Sequence, residues 1–423
     1  MVKLTHSSVT SPDFQLRYDR GGNPITGLST LDSLNASIGI EDIIPAITTP
    51  IDVTLDVNIG LSRWYVFTME DTCDILSLVP IYNNDNNIEI AEPAYKTITC
   101  AVPNDPLYPL QWGHNNTTQM NDYANQGSDI GHDDGSPVGI PGFDSGAEYA
   151  WDGPQGYGDP NIIIAILDNG FDLAHEDLAD GNNHMLPGYD SVSGDYDPSA
   201  PTGIYHGTHM AGMAAAIPNN ELGVAGIAGG CKILPVRATG SVGGPVSLTN
   251  GINWARDADA DIISMSIAAL HSNLVEDAID EAYNAGVTLF AATNNFGGGT
   301  NDNLYPISFP ASHEHVIAVG AASPCNERKR HWLEPLGNSC DNEFWWGPKY
   351  GDPSYGQDHA ASVDLLGPTI MPTTDNSGSD GYVLDGDYFL WSNGTSSSCA
   401  YVAGVGALIK SLHPNWSPDQ IRQ

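Results

Sequence analysis

The apolar positions of this chain fall into continuous runs in one part and alternating ones in another. Ile162 to Leu167 is unbroken and stops abruptly at Asp168-Asn169-Gly170. A run without polar alternation has both faces covered, so it predicts a buried parallel strand ending in a turn. Ile262-Ile263, Gly286 to Ala292 and Val316 to Gly320 predict further strands of the same kind. His206 to Ile217 is built almost wholly from small residues and predicts a helix with a histidine at its first position, narrow enough to press against a neighbour. A second small-residue helix is predicted directly after Gly394-Thr395-Ser396. Nearer the start, Asp52 to Val57 and Arg63 to Thr68 alternate like half-buried strands. With a helix from Asp74 to Tyr82 and a strand from Ile88 to Tyr95, the first hundred or so residues read as a separate unit.

Three of these segments carry chemistry. Ser396 stands where a tight Gly-Thr turn meets a helix N-terminus, whose free N–H groups and partial positive charge suit a developing oxyanion. Asp168 closes a strand at its carboxyl end, where ligands gather in open α/β sheets. His206 is fixed by a helix with almost no side-chain bulk.

Asp168, His206 and Ser396, in that order and each in its own motif, resemble the subtilase family of serine endopeptidases. The resemblance covers about Asn104 to Gln423. It implies a three-layer α/β/α domain around a mainly parallel twisted sheet, residues 100–423, preceded by a small α+β propeptide domain, residues 1–99. By resemblance Ser396 is the nucleophile and His206 the general base and then acid, while Asp168 holds the imidazole tautomer. The family's Ala-Gly-Asn strand end corresponds to Thr293-Asn294-Asn295. Without a gap, Asn295 becomes the oxyanion donor; with one, Asn294 does. In the ungapped case Asn294 replaces a glycine, and asparagine tolerates a left-handed backbone best among other residues. The exposed edge for an extended substrate falls on Ser266, Ile267, Ala268 and Ala269, where the family usually has Leu-Gly-Gly for the last three.

The resemblance also implies a structural calcium site built from Gln111, Asp177 and the Pro218, Asn220, Leu222 and Val224 loop, all hard oxygen ligands. After the nucleophile the family's Met-Ala-Ala-Pro-His becomes Ser397-Ser398-Cys399-Ala400-Tyr401, with Cys399 expected to be a buried, inert thiol. Phe309-Pro310 resembles a family turn with a cis peptide. Six cysteines allow fifteen full pairings. A Cys325–Cys340 bridge would close an insertion ahead of Ala360 whose Trp332, Phe344, Trp345 and Trp346 either line a substrate subsite or, as is expected, pack onto the body.

Composition narrows the partners. Acidic residues outnumber basic ones 52 to 14 in 423 residues, for a net charge of -38. That excess argues against nucleic acid and anionic membranes, and suits a secreted protein bathed in salt or divalent cations. No run reaches membrane-spanning length, and Met1 to Ser8 lacks a signal peptide's apolar stretch. Ser417-Pro418-Asp419-Gln420 reads as a helix start, cut short at Gln423, which points to a fragment of a longer precursor. The expectation is a secreted monomer acting on polypeptide substrates and on its own propeptide. Two rivals stand beside it: an inactive subtilase serving as a binding module, and a metal-dependent hydrolase using His206 and His209 with His313 and His315.

Overall fold

The structure, a computed structural model, describes residues 1–47, 56, 60–69, 75–94, 102–119, 138–240, 244–296, 307–332, 334, 339–341, 343–350 and 363–423. The chain divides into two units, Met1–Ile98 and Thr99–Gln423.

Among its described residues, the first unit has a four-stranded antiparallel sheet accompanied by helices. Its strands are β1 (Val2–Leu4), β2 (Asp42–Pro45), β3 (Trp64–Thr68) and β4 (Ile88–Ala91), in the order β2-β3-β1-β4. Helices α1 (Ser29–Ile38) and α2 (Ile75–Asn83) accompany it, and Leu4, Leu31, Tyr65 and Phe67 lie in its core. The alternation read from Arg63 to Thr68 is the β3 strand, with Tyr65 and Phe67 inward. The expected Asp52–Val57 strand lies outside the described residues but for Asp56, as do Asp74 and Tyr95 at the ends of two other predicted elements.

The second unit is built on an eight-stranded sheet. In chain order its main strands are β5 (Ile163–Asp168), β6 (Tyr189–Asp190), β7 (Lys232–Arg237), β8 (Ile262–Met265), β9 (Thr288–Ala292) and β10 (Val316–Ser323). They run side by side in parallel as β10-β9-β8-β5-β7-β6, with Leu365–Pro368 also parallel to β10 and only Glu327–Arg328 antiparallel. Alternate residues of each strand enter different cores, which is why the strands read as continuous apolar runs. Ile164, Ile166 and Phe290 pack with helices α3 (His206–Ala215) and α6 (Gly394–Leu412). Ala165, Leu167 and Leu289 pack with α4 (Pro245–Asp257) and α5 (Asn273–Asn284) on the other face. Each fully buried Ile or Leu contributes about 2 kcal/mol relative to exposure, so both faces are strongly specified. The three-layer α/β/α architecture read from the sequence is the observed one.

The small-residue helices meet closely. A β-carbon on Gly404 would stand 2.4 Å from Ile227 Cγ2 and 2.9 Å from the Ala214 carbonyl oxygen, so α6 can lie against α3 only with glycine there. Two boundaries differ from the sequence reading. Helix α6 begins at Gly394, so Ser396 lies inside its first turn rather than ahead of it. The last helix does form, over Pro418–Arg422, because Ser417 and Gln420 close a reciprocal capping box within the chain. Phe309-Pro310 is cis, and Cys325 is bridged to Cys340.

Candidate active site

Parallel strands deliver their last residues to one edge of the sheet. Met265 of β8 stands opposite Leu167 of β5 and Ala291 of β9, which places Asp168, Ser266 and the Thr293–Asn295 segment side by side at the carboxyl edge. Asp168 is buried, and both its oxygens lie within hydrogen-bond distance of His206 Nδ1, at 2.8 and 2.9 Å. That bond leaves Nε2 free to face a reactant. Desolvation pulls the imidazole pKa down, but the Asp168 charge and hydrogen bond outweigh it, and the net shift is upward. Such a pair holds one tautomer while the ring is neutral and stabilises the imidazolium once a proton arrives.

Ser396 reaches the same edge through its backbone: the Ser266 hydroxyl donates to the Ser396 carbonyl oxygen at 2.8 Å. The turn before it is pinned by the Thr369 hydroxyl, which donates to the Gly394 carbonyl oxygen at 3.0 Å. Gly394 itself has φ of 97°, a left-handed conformation that favours glycine. Asn295 lies alongside. Its Oδ1 accepts from the Thr395 N–H at 2.9 Å and the Thr395 hydroxyl at 3.0 Å, and its Nδ2 is the atom nearest to where a Gly394 β-carbon would be, at 3.1 Å. Asn294 has φ of 79° and turns its amide the other way, donating to Ser308 Oγ at 3.0 Å. Of the two candidate donors, Asn295 is therefore the one beside the serine.

Beyond Ser266 the β8 strand gives way to irregular extended chain, and Ile267, Ala268 and Ala269 line a groove of about 430 Å³ with Ala238, Pro245 and Leu248. Ala269 is tied back by its N–H to the Phe309 carbonyl oxygen at 2.8 Å. Ala268 remains exposed. Cys399 is fully buried, and burial pushes its thiol up to about 12, as befits an inert core residue.

The histidines of the metal reading are not brought together. His209 Nε2 is taken by Asp375 Oδ1 at 2.9 Å, with the ring stacked between Tyr205 and Phe389. His313 and His315 precede β10, at the sheet edge opposite to Asp168, and gather around Asp280. There His313 Nδ1 accepts the His315 N–H at 3.2 Å, which leaves the proton on the Nε2 that faces Asp280. In that tautomer Nε2 carries a proton, and the remaining lone pair, on Nδ1, is engaged by the His315 N–H.

The calcium-site residues lie near one another in the second unit. Asn220 Nδ2 donates to Asp177 Oδ1 at 2.7 Å, and the Val224 N–H donates to Oδ2 at 3.0 Å. Gln111 is hydrogen-bonded to Ala225: Oε1 accepts from the N–H at 3.0 Å and Nε2 donates to the carbonyl oxygen at 2.9 Å. A residue outside the predicted set also acts on Asp177. Asp105 is buried, its Oδ1 has no hydrogen-bond partner among the described residues, and its negative charge acts on Asp177. The insertion aromatics also divide: Trp346 is buried, whereas Trp332, Phe344 and Trp345 are exposed, so packing accounts for one of the four.

Comparison with known proteins gives the family. The model of the subtilase family matches residues 159–423. The thermophilic serine proteinase of Bacillus sp. (strain AK1) is 31% identical over 346 residues, covering 81% of this chain and 68% of that protein. Subtilisin of Bacillus pumilus is 31% identical over 271 residues, 63% of this chain and 83% of that one. Among solved structures, a protease from Pseudoalteromonas arctica is similar with a TM-score of 0.53 at 26% identity, covering 76% of this chain and 91% of that one. With matches spanning the whole edge that holds Asp168, His206 and Ser396, the chain belongs to the subtilase family of serine endopeptidases.

Proposed function

We propose that Ser396 is the nucleophile of peptide hydrolysis, His206 its general base and then acid, Asp168 the residue that orients the imidazole, and Asn295 an oxyanion donor. The observation that carries this reading is the His206–Asp168 bond at the sheet edge where Ser266 holds Ser396. In it the Ser396 hydroxyl gives its proton to His206 Nε2 as Oγ attacks the scissile carbonyl carbon. The oxyanion receives a hydrogen bond from Asn295 Nδ2, and His206 returns the proton to the departing amine. Water then repeats the sequence on the acyl-enzyme. The extended substrate lies along Ser266 to Ala269, whose added methyls at Ala268 and Ala269 narrow the first specificity pocket. A pre-steady-state burst of leaving group, equal to the enzyme concentration, tests the acyl-enzyme; a linear trace from active protein contradicts it.

A structural calcium ion fits the cluster around Asp177. Burial raises the Asp177 carboxyl to about 7, and the Asp105 and Glu176 charges push the same way, against the Val224 and Asn220 hydrogen bonds. Two buried carboxylates with an orphaned oxygen suit a hard cation with oxygen ligands. Asp105 therefore joins Gln111, Asp177, Asn220 and the Pro218, Leu222 and Val224 carbonyls in this assignment. Calcium would supply the charge that balances these carboxylates. Chelation should lower the melting temperature of the mature protein, because binding to the native state adds stability by mass action. Asp177→Asn should lose most of that dependence, and an unchanged melting temperature in chelator contradicts the site.

The Met1–Ile98 unit is a small α+β unit, and we propose that it is a propeptide, the inhibitor and folding assistant of the unit that follows. The expected cleavage window, Lys96 to Asn104, lies largely outside the described residues. Expression of the whole chain should yield a cut there that Ser396→Ala abolishes, and the separated segment should inhibit the mature enzyme. Neither cut nor inhibition would make this unit an accessory domain. Secretion accords with the acidic charge and with a similar extracellular serine protease of Natrialba magadii, 29% identical over 344 residues. No helix among the described residues is long and apolar enough to cross a membrane.

A further inference from the structure

Three charged residues of the insertion that begins at the Cys325–Cys340 loop are completely buried. Lys329, Asp341 and Glu343 each have no exposed side chain, although a buried charge is expensive unless it is paired. Lys329 Nζ stands 3.0 Å from Asp341 Oδ1 and 3.8 Å from Glu343 Oε2, and donates to the Glu343 carbonyl oxygen. One cation thus faces two carboxylates, and burial raises both carboxyls, Glu343 to about 7.

What Glu343 does with its charge is unusual. Its Oε2 accepts from the Trp346 indole N–H, and its Oε1 accepts from Nδ2 of Asn393. Asn393 immediately precedes Gly394-Thr395-Ser396, and its side chain caps none of the N–H groups of α6. Four residues after Glu343, the Gly347–Pro348 strand pairs antiparallel with Asn295–Phe296, Asn295 lying opposite Pro348. The Lys349 N–H extends the contact to the Asn294 carbonyl oxygen at 2.8 Å. A single short segment therefore grips the serine turn with one residue and the oxyanion strand with the next few.

We propose that Glu343, held by Lys329 and Trp346, is a positioning residue that fixes the Asn393–Ser396 turn against the Asn295 strand. The proposal rests on the reading of Ser396 as nucleophile and Asn295 as oxyanion donor. Attack on a carbonyl requires both groups to be placed to well within an ångström, and small misplacements are costly in rate. A buried carboxylate accepting two donors is a stiff tether, because freeing either donor leaves a charge unsatisfied. Its place in an insertion separates this tether from the triad-bearing elements themselves.

The test is a double-mutant cycle between the two ends of the tether. Glu343→Met leaves Lys329 paired with Asp341, so the buried cation keeps a carboxylate partner. It should lower kcat about tenfold or more while KM stays within about twofold, since geometry at the reacting carbonyl is what it loosens. Asn393→Ala removes the other end from a half-buried position and should lower kcat similarly, even if Glu343→Met does not fold. The double variant should be no slower than the slower single one, because both changes break the same bond. Unchanged kcat in folded Asn393→Ala, or losses that multiply in the double variant, would overturn the proposal. Labelling of Ser396 by a fluorophosphonate separates this from failure of the underlying reading. An unlabelled Ser396 in the unaltered protein removes the nucleophile, whereas labelling of Glu343→Met at the unaltered rate removes only the tether.

Discussion

Ser396→Ala lowers peptide hydrolysis by about six orders of magnitude, the scale of loss that removing the nucleophile or the histidine causes in subtilisin. His206→Ala should match it, because the two groups act as one unit and either deletion abolishes proton-coupled attack. The change is structurally mild. Ser266 holds Ser396 through its backbone carbonyl oxygen, so the alanine variant keeps that contact and loses only Oγ. Steady-state hydrolysis with a matched melting temperature checks the claim. Retention of ordinary turnover in either variant would end the assignment of these residues, while membership of the family would stand on its own matches.

Asn295→Leu should lower kcat by about two to three orders of magnitude with little change in KM, since the oxyanion exists only after attack. Its neighbour gives the contrast. Asn294 donates to Ser308 and occupies a left-handed backbone. Leucine in that conformation costs about 1–2 kcal/mol, so Asn294→Leu should appear as lost stability rather than lost turnover. Kinetics and melting temperature of the two variants separate the roles. A turnover loss confined to Asn294→Leu would move the donor to that residue.

The features legible in the sequence share one property: their signals are local. Asp168 could be placed because an apolar run ended at it. The helices carrying His206 and Ser396 announced themselves by small residues, and Gly404 shows why close approach needs them. Covered faces gave continuous strands, and from these the layered fold followed. What stayed hidden depends on contacts distant in sequence. Asp105 is one carboxylate among 52 acidic residues, and only burial beside Asp177 distinguishes it. The partnership of Glu343 with Asn393 spans 50 positions, and no pattern in either segment signals it. Histidine pairs were ambiguous for the same reason: His209 is three residues from His206, yet its partner, Asp375, is 166 residues away.

The most direct test of the account is chemical. The mature protein should react with a fluorophosphonate at one residue per molecule, and peptide mapping should find the adduct on Ser396, with labelling lost in His206→Ala. An adduct on another side chain, or full proteolytic activity in protein whose Ser396 remains unmodified by saturating reagent, would contradict it.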